Sequence, residues 1–327
     1  MRNHSYDHLL AFALAHPWNI ERSMLQVIAG VLANRIAGIE ADQATVQAAV
    51  VNRKNLPQPR AGSVAIIPVY GALAPRMNML TEISGGMSYD KIGANIDAAM
   101  ADKTIKTIVM DIDSPGGSVP GNTELIAKIL RARTKKPFIA QAQYLAASAA
   151  YGLAAACTEV FAAPSARVGS VGTYAIHQDL TEALKQRGIK EEFISAGEGK
   201  VDGFQELTDS ARGRVQAMVN TFYGQFVSDV VRSRGQGVTA DMVRNEWKAH
   251  LYGAADAKSI GMIDGIATLE ETIARVLAAS PDPADHRAAL ALENGDTLQE
   301  PQATSQDPGI HIALDRQVVA FRKQLLN

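Results

Sequence analysis

The chain of 327 residues holds a single cysteine, Cys157, so no disulfide can form within it. One thiol points to a reducing compartment or to a fold that needs no staple. Lying in an alanine-rich apolar run, Cys157 reads as a small buried hydrophobe rather than a nucleophile. Excess charge of one sign is also missing. There are 32 basic and 34 acidic residues, a formal net charge of -2, so no general attraction to nucleic acid or anionic membrane is implied. Long apolar runs are absent too. None reaches the roughly 18 residues of a membrane span, and the opening MRNHSYDHLLAFALAHPW is broken by His16, Pro17 and Trp18, unlike a secretory signal. The expected location is therefore cytoplasmic. The histidines are scattered, with no HExxH or CxxC, so no metal site is expected. No GK[ST] or GxGxxG is found, and no internal repeat.

What is present suits a globular protein. Hydrophobic residues make up 47% and charged residues 20%, and a chain of this length can bury a sizeable core. Residues 1–60 read as a helical lead-in and linker. Within NIERSMLQVIAGVLANRIAG, Met24, Val27, Ile28, Val31 and Leu32 fall at helical spacing. NLPQPRAG, with two prolines and a glycine, marks the boundary.

Residues 61–279 then alternate between strand and helix. SVAIIPVYGAL, TIVMDID, PFIAQAQ and EVFAAP read as buried strands, and EEFISAG as a further short one. Helices are predicted over residues 88–101, ELIAKILRAR, ASAAYGLAAA, 179–187, and a long segment carrying Val215, Met218, Val219, Phe222 and Phe226 on one side. The alternation predicts an α/β fold with a parallel sheet. Residues 280–327 are polar and proline-containing and read as a flexible tail.

Three segments carry possible chemistry. Asp113-Ser114-Pro115-Gly116-Gly117-Ser118 follows a buried strand. Its glycines leave backbone N–H groups unobstructed at a strand end, where they can face a developing oxyanion. Ser148 sits among alanines in Ala146-Ala147-Ser148-Ala149-Ala150-Tyr151-Gly152, at a strand-to-helix turn where a nucleophile is exposed to substrate. Lys200 ends Ser195-Ala196-Gly197-Glu198-Gly199-Lys200. A lysine can act as a general base once burial disfavours its ammonium. Taken singly, each has a plainer reading that fits better: a strand–helix turn, an N-cap serine and a solvated lysine. A Ser–His–Asp triad would need a histidine near Ser148. His177 is the nearest in the core and reads as a packing or capping residue.

Together the segments strongly resemble the signal peptide peptidase family (SppA-like, S49), including its phage and prophage head-maturation branch. The order DSPGGS, AASAAYG, PSARVGSVG, ISAGEGK is that of the family. Downstream, Tyr252, Gly253, Ala254, Ala257, Gly261, Met262 and Asp264 match its closing motif. The likeness covers roughly residues 61–275. It departs where Ala149 and Ala150 replace glycines after the serine, and where Ser195-Ala196-Gly197 replaces a Ser-Gly pair.

The resemblance implies a ClpP/crotonase-like spiral of β-β-α units with a helical N-terminal extension. It implies a serine endopeptidase with Ser148 as nucleophile and Lys200 as base. The oxyanion hole falls on Gly116, Gly117 and Ala149, and no cofactor is needed. It also implies a homo-oligomer, in which serine and lysine of some relatives come from neighbouring subunits. Lacking a membrane anchor, the chain looks like a capsid-assembly protease that cleaves scaffold, capsid or portal proteins, and its own tail in addition. The alternatives are a cytoplasmic peptidase that degrades small peptides, a crotonase-like enzyme, and a catalytically silent structural protein.

Overall fold

The computed structural model describes residues 17–21, 60–76 and 86–293, apart from 178, 180, 187, 189, 191, 198, 201–206 and 236. The strands are β1 (Trp18–Ile20), β2 (Arg60–Ala61), β3 (Val64–Tyr70), β4 (Leu73–Ala74), β5 (Met87–Ser88), β6 (Thr107–Ser114), β7 (Gly116–Ser118), β8 (Phe138–Ala147), β9 (Glu159–Ala162), β10 (Arg167–Gly169), β11 (Leu251–Gly253) and β12 (Gly265–Ile266). The helices are α1 (Tyr89–Ala101), α2 (Asn122–Ala132), α3 (Ala149–Ala155), α4 (Thr181–Gln186), α5 (Asp209–Arg234), α6 (Ala254–Ser259), α7 (Leu269–Ala278) and α8 (Pro283–Glu293). A π-helical turn spans Met242–Trp247.

The main sheet runs β11-β10-β8-β6-β3-β2, with β9 and β12 beside β8. Its centre is parallel: β3 pairs β6 from Val64↔Thr107 to Tyr70↔Asp113, and β6 pairs β8. These strands read as unbroken apolar runs because helices cover both faces. Ala65, Ile67, Val69, Ile108, Met110, Ile112, Phe138 and Ala140 point into one core with α1, α2 and α3. The alternate residues Val64, Ile66, Val109 and Ile139 point into a second core with Ile273 and Leu277 of α7 and Ala289 of α8. Each fully buried isoleucine adds about 1.5–3 kcal/mol of burial energy. The result is a mixed α/β architecture around a parallel sheet.

Caps fix the helix starts. Ser88 accepts a hydrogen bond from the Lys91 amide before α1, and Thr268 and Glu271 form a reciprocal capping box before α7. At the carboxyl ends of β3 and β6 lies a second, four-stranded sheet, β1-β7-β4-β5. Near its end β6 shifts register against β8, from Ile112 opposite Ala142 to Ser114 opposite Ala146. Such an irregularity re-aims a strand; here β6 turns into Gly116 while β8 runs on to Ala147.

Four expectations need correction. Trp18–Ile20, at the start of the expected helical lead-in, is a strand; its partners lie about a hundred residues away and leave no local signal. Most of that lead-in lies outside the described residues. Glu192–Gly197 forms no strand, and Ile194 there is 96% exposed: a β-branched residue without a sheet edge makes no ladder. On α5, Phe226, Val227 and Val230 are buried, whereas Val215, Met218, Val219 and Phe222 of the expected buried face are only half-buried. Residues 280–327 read as a tail, yet α8 packs on α7. Pro283 opens α8 where a missing N–H costs nothing. Asp285 then ties it to β3, accepting from the Ser63 amide at 2.8 Å and from the Ser63 and Ser280 hydroxyls. Residues 294–327 lie outside the described residues.

Candidate active site

Ser148 stands at the junction of β8 and α3, with φ 53° and ψ -120°. A positive φ at a residue with a side chain costs about 1–3 kcal/mol and persists only where the surroundings impose it. They do so here. The Ser148 amide donates to the Gly169 carbonyl at 2.7 Å, and its carbonyl accepts from the Gly152 amide at 3.0 Å. This turn swings the hydroxyl away from α3. Ser148 caps no helical amide, and its hydroxyl donates to the Gly172 carbonyl at a long 3.4 Å. The plain N-cap reading of this serine therefore does not hold. The residue is 1% exposed.

Three sequence-predicted residues meet beside it. Ala149 opens α3, so its amide has no intrahelical acceptor. Gly116 has φ 99°, and a Cβ there would lie 2.9 Å from the Ala147 carbonyl oxygen and 3.0 Å from the Ala149 nitrogen. Only glycine fits. Gly117 pairs with β1 on one side and β4 on the other, and a Cβ on it would reach 2.0 Å from the Leu73 carbonyl oxygen. The Gly116 amide donates to Ser114 Oγ at 3.2 Å, and Ser114 Oγ in turn donates to the Gly71 carbonyl at 2.7 Å. Ser114 thus locks the turn rather than facing solvent.

Lys200 is not drawn into this cluster. It lies exposed on the loop after Glu192–Gly197, its amide 3.3 Å from the Gly197 carbonyl. Among the described residues its ammonium has no hydrogen-bond or ion-pair partner. His177 does not contact Ser148 either; its Nε2 is buried without a hydrogen bond among the described residues. That arrangement gives no triad.

Buried groups around the site are structural. Tyr151 donates to the Met262 carbonyl at 2.9 Å and meets Trp247 edge-on. Burial pushes its phenol up, so it stays a donor. Burial pushes the Cys157 thiol up to about 12, which keeps it protonated and inert. Burial also raises the Asp264 carboxyl, but the Arg234 guanidinium and the Val160 amide outweigh it and hold Asp264 below the usual range. Asp264 thereby joins the end of α5 to β9.

Residues 131–280 match the model of peptidase family S49. Over that segment the chain is similar to peptidase family S49. It is 34% identical to the head-tail preconnector protein GP5 of Enterobacteria phage P21, over 54% of this chain and 36% of that protein. It is 29% identical to the capsid assembly protease C of Escherichia phage lambda, over 74% of this chain and 54% of that protein. Protease 4 of Salmonella typhi is 24% identical over 67% of the chain and 35% of its own length. The chain thus spans about a third to a half of these relatives. A solved 1510-N membrane-bound stomatin-specific protease covers 66% of the chain and 85% of its own, at 15% identity and a TM-score of 0.41. No helix among the described residues is long and apolar enough to cross a membrane.

Proposed function

We propose that the chain is a serine endopeptidase of ClpP/crotonase-like fold working with a Ser148–Lys200 dyad. The observation that carries this reading is the strained turn at Ser148, with the Ala149 amide and the backbone at Gly116 beside it. Ser148 Oγ attacks the peptide carbonyl and its proton passes to the Lys200 amine. The Ala149 amide, with the Gly117 backbone next to it, stabilises the oxyanion. Lys200 then protonates the leaving amine, and water hydrolyses the acyl-enzyme.

A base must lie within hydrogen-bond reach of the proton it takes. Lys200 is exposed and Ser148 buried within one chain, so the dyad forms between neighbouring copies in a homo-oligomer. The relatives named for capsid assembly and the head-tail preconnector favour a protein substrate in a phage procapsid, with scaffold, capsid or portal protein as the class cleaved. The domain plan is a peptidase unit over residues 61–279, extended by α8, with a lead-in before it.

The test is casein hydrolysis by wild type, Ser148→Ala, Lys200→Ala and a re-assembled mixture of the two variants. Both variants should be inactive and the mixture should regain part of the rate. Activity retained in Ser148→Ala refutes the nucleophile. An inactive mixture, shown by mass to be mixed, refutes the shared dyad.

A further inference from the structure

The strand β1 lies in an unusual place. It pairs antiparallel with β7, matching Trp18 to Ser118, Asn19 to Gly117 and Ile20 to Gly116. The ladder extends at both ends, from the Glu21 amide to the Pro115 carbonyl at 2.7 Å and from the Val119 amide to the Pro17 carbonyl at 3.3 Å. On its other edge, Trp18 exchanges two hydrogen bonds with Tyr174, at 2.8 and 3.1 Å. The Thr173 hydroxyl also donates to Asn19 Oδ1 at 2.6 Å. Residues 17–21 are therefore clamped as an extended strand between two antiparallel walls.

Those walls are the walls of the candidate site. One is the Gly116–Gly117 backbone; the other follows Gly172, whose carbonyl receives the Ser148 hydroxyl. The Asn19 carbonyl oxygen lies 2.3 Å from the point a Cβ on Gly116 would occupy, and the Ala149 nitrogen lies 3.0 Å from that same point. A peptide carbonyl of β1 thus sits in the region where a scissile carbonyl must bind. Trp18, Asn19 and Ile20 are each 2% exposed. With β1 in place the nucleophile itself is 1% exposed. An extended peptide held by main-chain ladders takes its affinity from those bonds and its selectivity from alternate side chains.

We propose that Pro17–Glu21 is a resident pseudosubstrate, which fills the extended-peptide slot beside Ser148 and must leave before a protein substrate enters. This rests on the peptidase reading above. A slot that is closed about 90% of the time lowers the apparent rate about tenfold, so releasing β1 should restore about that factor. The displacing substrate is an extended segment with bulky apolar side chains two residues apart, as Trp18 and Ile20 are.

The test uses the full chain and casein hydrolysis. Trp18→Ala removes the buried indole, and Asn19→Pro removes a main-chain donor from the strand. Both should cleave casein about tenfold faster than wild type, and a synthetic peptide of residues 16–21 should slow them again. Rates equal to wild type in both folded variants, in a chain whose activity still depends on Ser148, overturn the pseudosubstrate and leave the peptidase reading intact. Absence of Ser148-dependent cleavage in every variant overturns the peptidase reading and this inference with it. Should either variant misfold, hydrogen exchange on wild type labelled with a peptidyl fluorophosphonate decides. Lost protection at the Trp18 and Glu21 amides supports displacement; unchanged protection overturns it.

Discussion

Replacing Gly117 with alanine tests the close approach on which the candidate site is built. The new methyl would lie 2.0 Å from the Leu73 carbonyl oxygen and 2.6 Å from the Leu73 carbonyl carbon and Cβ. Ordinary carbon contacts need about 3.5–4.0 Å, so β7 or β4 must move by more than an ångström. Both are backbone, and no rotamer change relieves the clash. Overpacking of this kind costs about 1–3 kcal/mol, and this case belongs at the upper end. At about 2–4 °C per kcal/mol for a domain of this size, a cost near 3 kcal/mol lowers Tm by about 6–12 °C. Moving β7 also displaces the backbone beside Ala149, so casein hydrolysis should fall far more than the stability loss explains. Gly188→Ala is the control: it has φ 72° but nothing within 4 Å among the described residues, so it costs about 1–2 kcal/mol and leaves the site alone. Differential scanning fluorimetry with activity at 25 °C gives both readings. A Gly117→Ala chain with wild-type Tm and wild-type activity would refute the reasoning.

Cys157 should resist iodoacetamide at pH 8 in the native chain and react within minutes in guanidinium, because burial holds the thiol protonated; intact mass reads the outcome. Tyr151→Phe leaves the Met262 carbonyl without its donor and should cost about 1–2 kcal/mol in a urea melt, with activity unchanged. Asp264 has a lowered folded pKa, so its stabilisation is complete above the ordinary aspartate value of about 3.9 and fades as pH falls through the lowered one. Asp264→Asn should therefore cost about 1–2 kcal/mol at pH 7, discounted because the pair is part-exposed. The gap to wild type should narrow below about pH 4. A constant gap from pH 7 to pH 3 would show that charge is not the cause.

Much of the architecture was legible because its pattern is local. The runs around Ile66, Val109 and Ile139 are apolar on both faces, and they are the central parallel strands with a core on each side. Ser148 was legible as a turn residue among small neighbours. Its positive φ was not, since it arises from the Gly169 carbonyl that holds its amide. The approach of Gly116 to Ala149 depends on β7 and α3 meeting across sequence, which spacing alone does not reveal. The pattern of α5 announced a helix but not which half would find a partner; Phe226 and Val230 pack on the core while Val215 and Phe222 do not. The least legible element was β1. Trp18–Ile20 sits next to a helical pattern, and among the described residues its strand pairing comes from Gly116–Ser118 and Tyr174. Lys200 marks the other limit: its residue type and motif suggest a base, but its exposure within one chain shifts the question to the neighbouring copy.

The most direct measurement is intact mass spectrometry of the assembled protein after treatment with a fluorophosphonate, followed by peptide mapping, for wild type and Lys200→Ala. The account predicts one adduct per chain on Ser148 in wild type, and labelling reduced at least a hundredfold without Lys200, in line with a general-base contribution of about 10²–10⁴. An adduct on another residue, or equal labelling of Ser148 in both proteins, would contradict it.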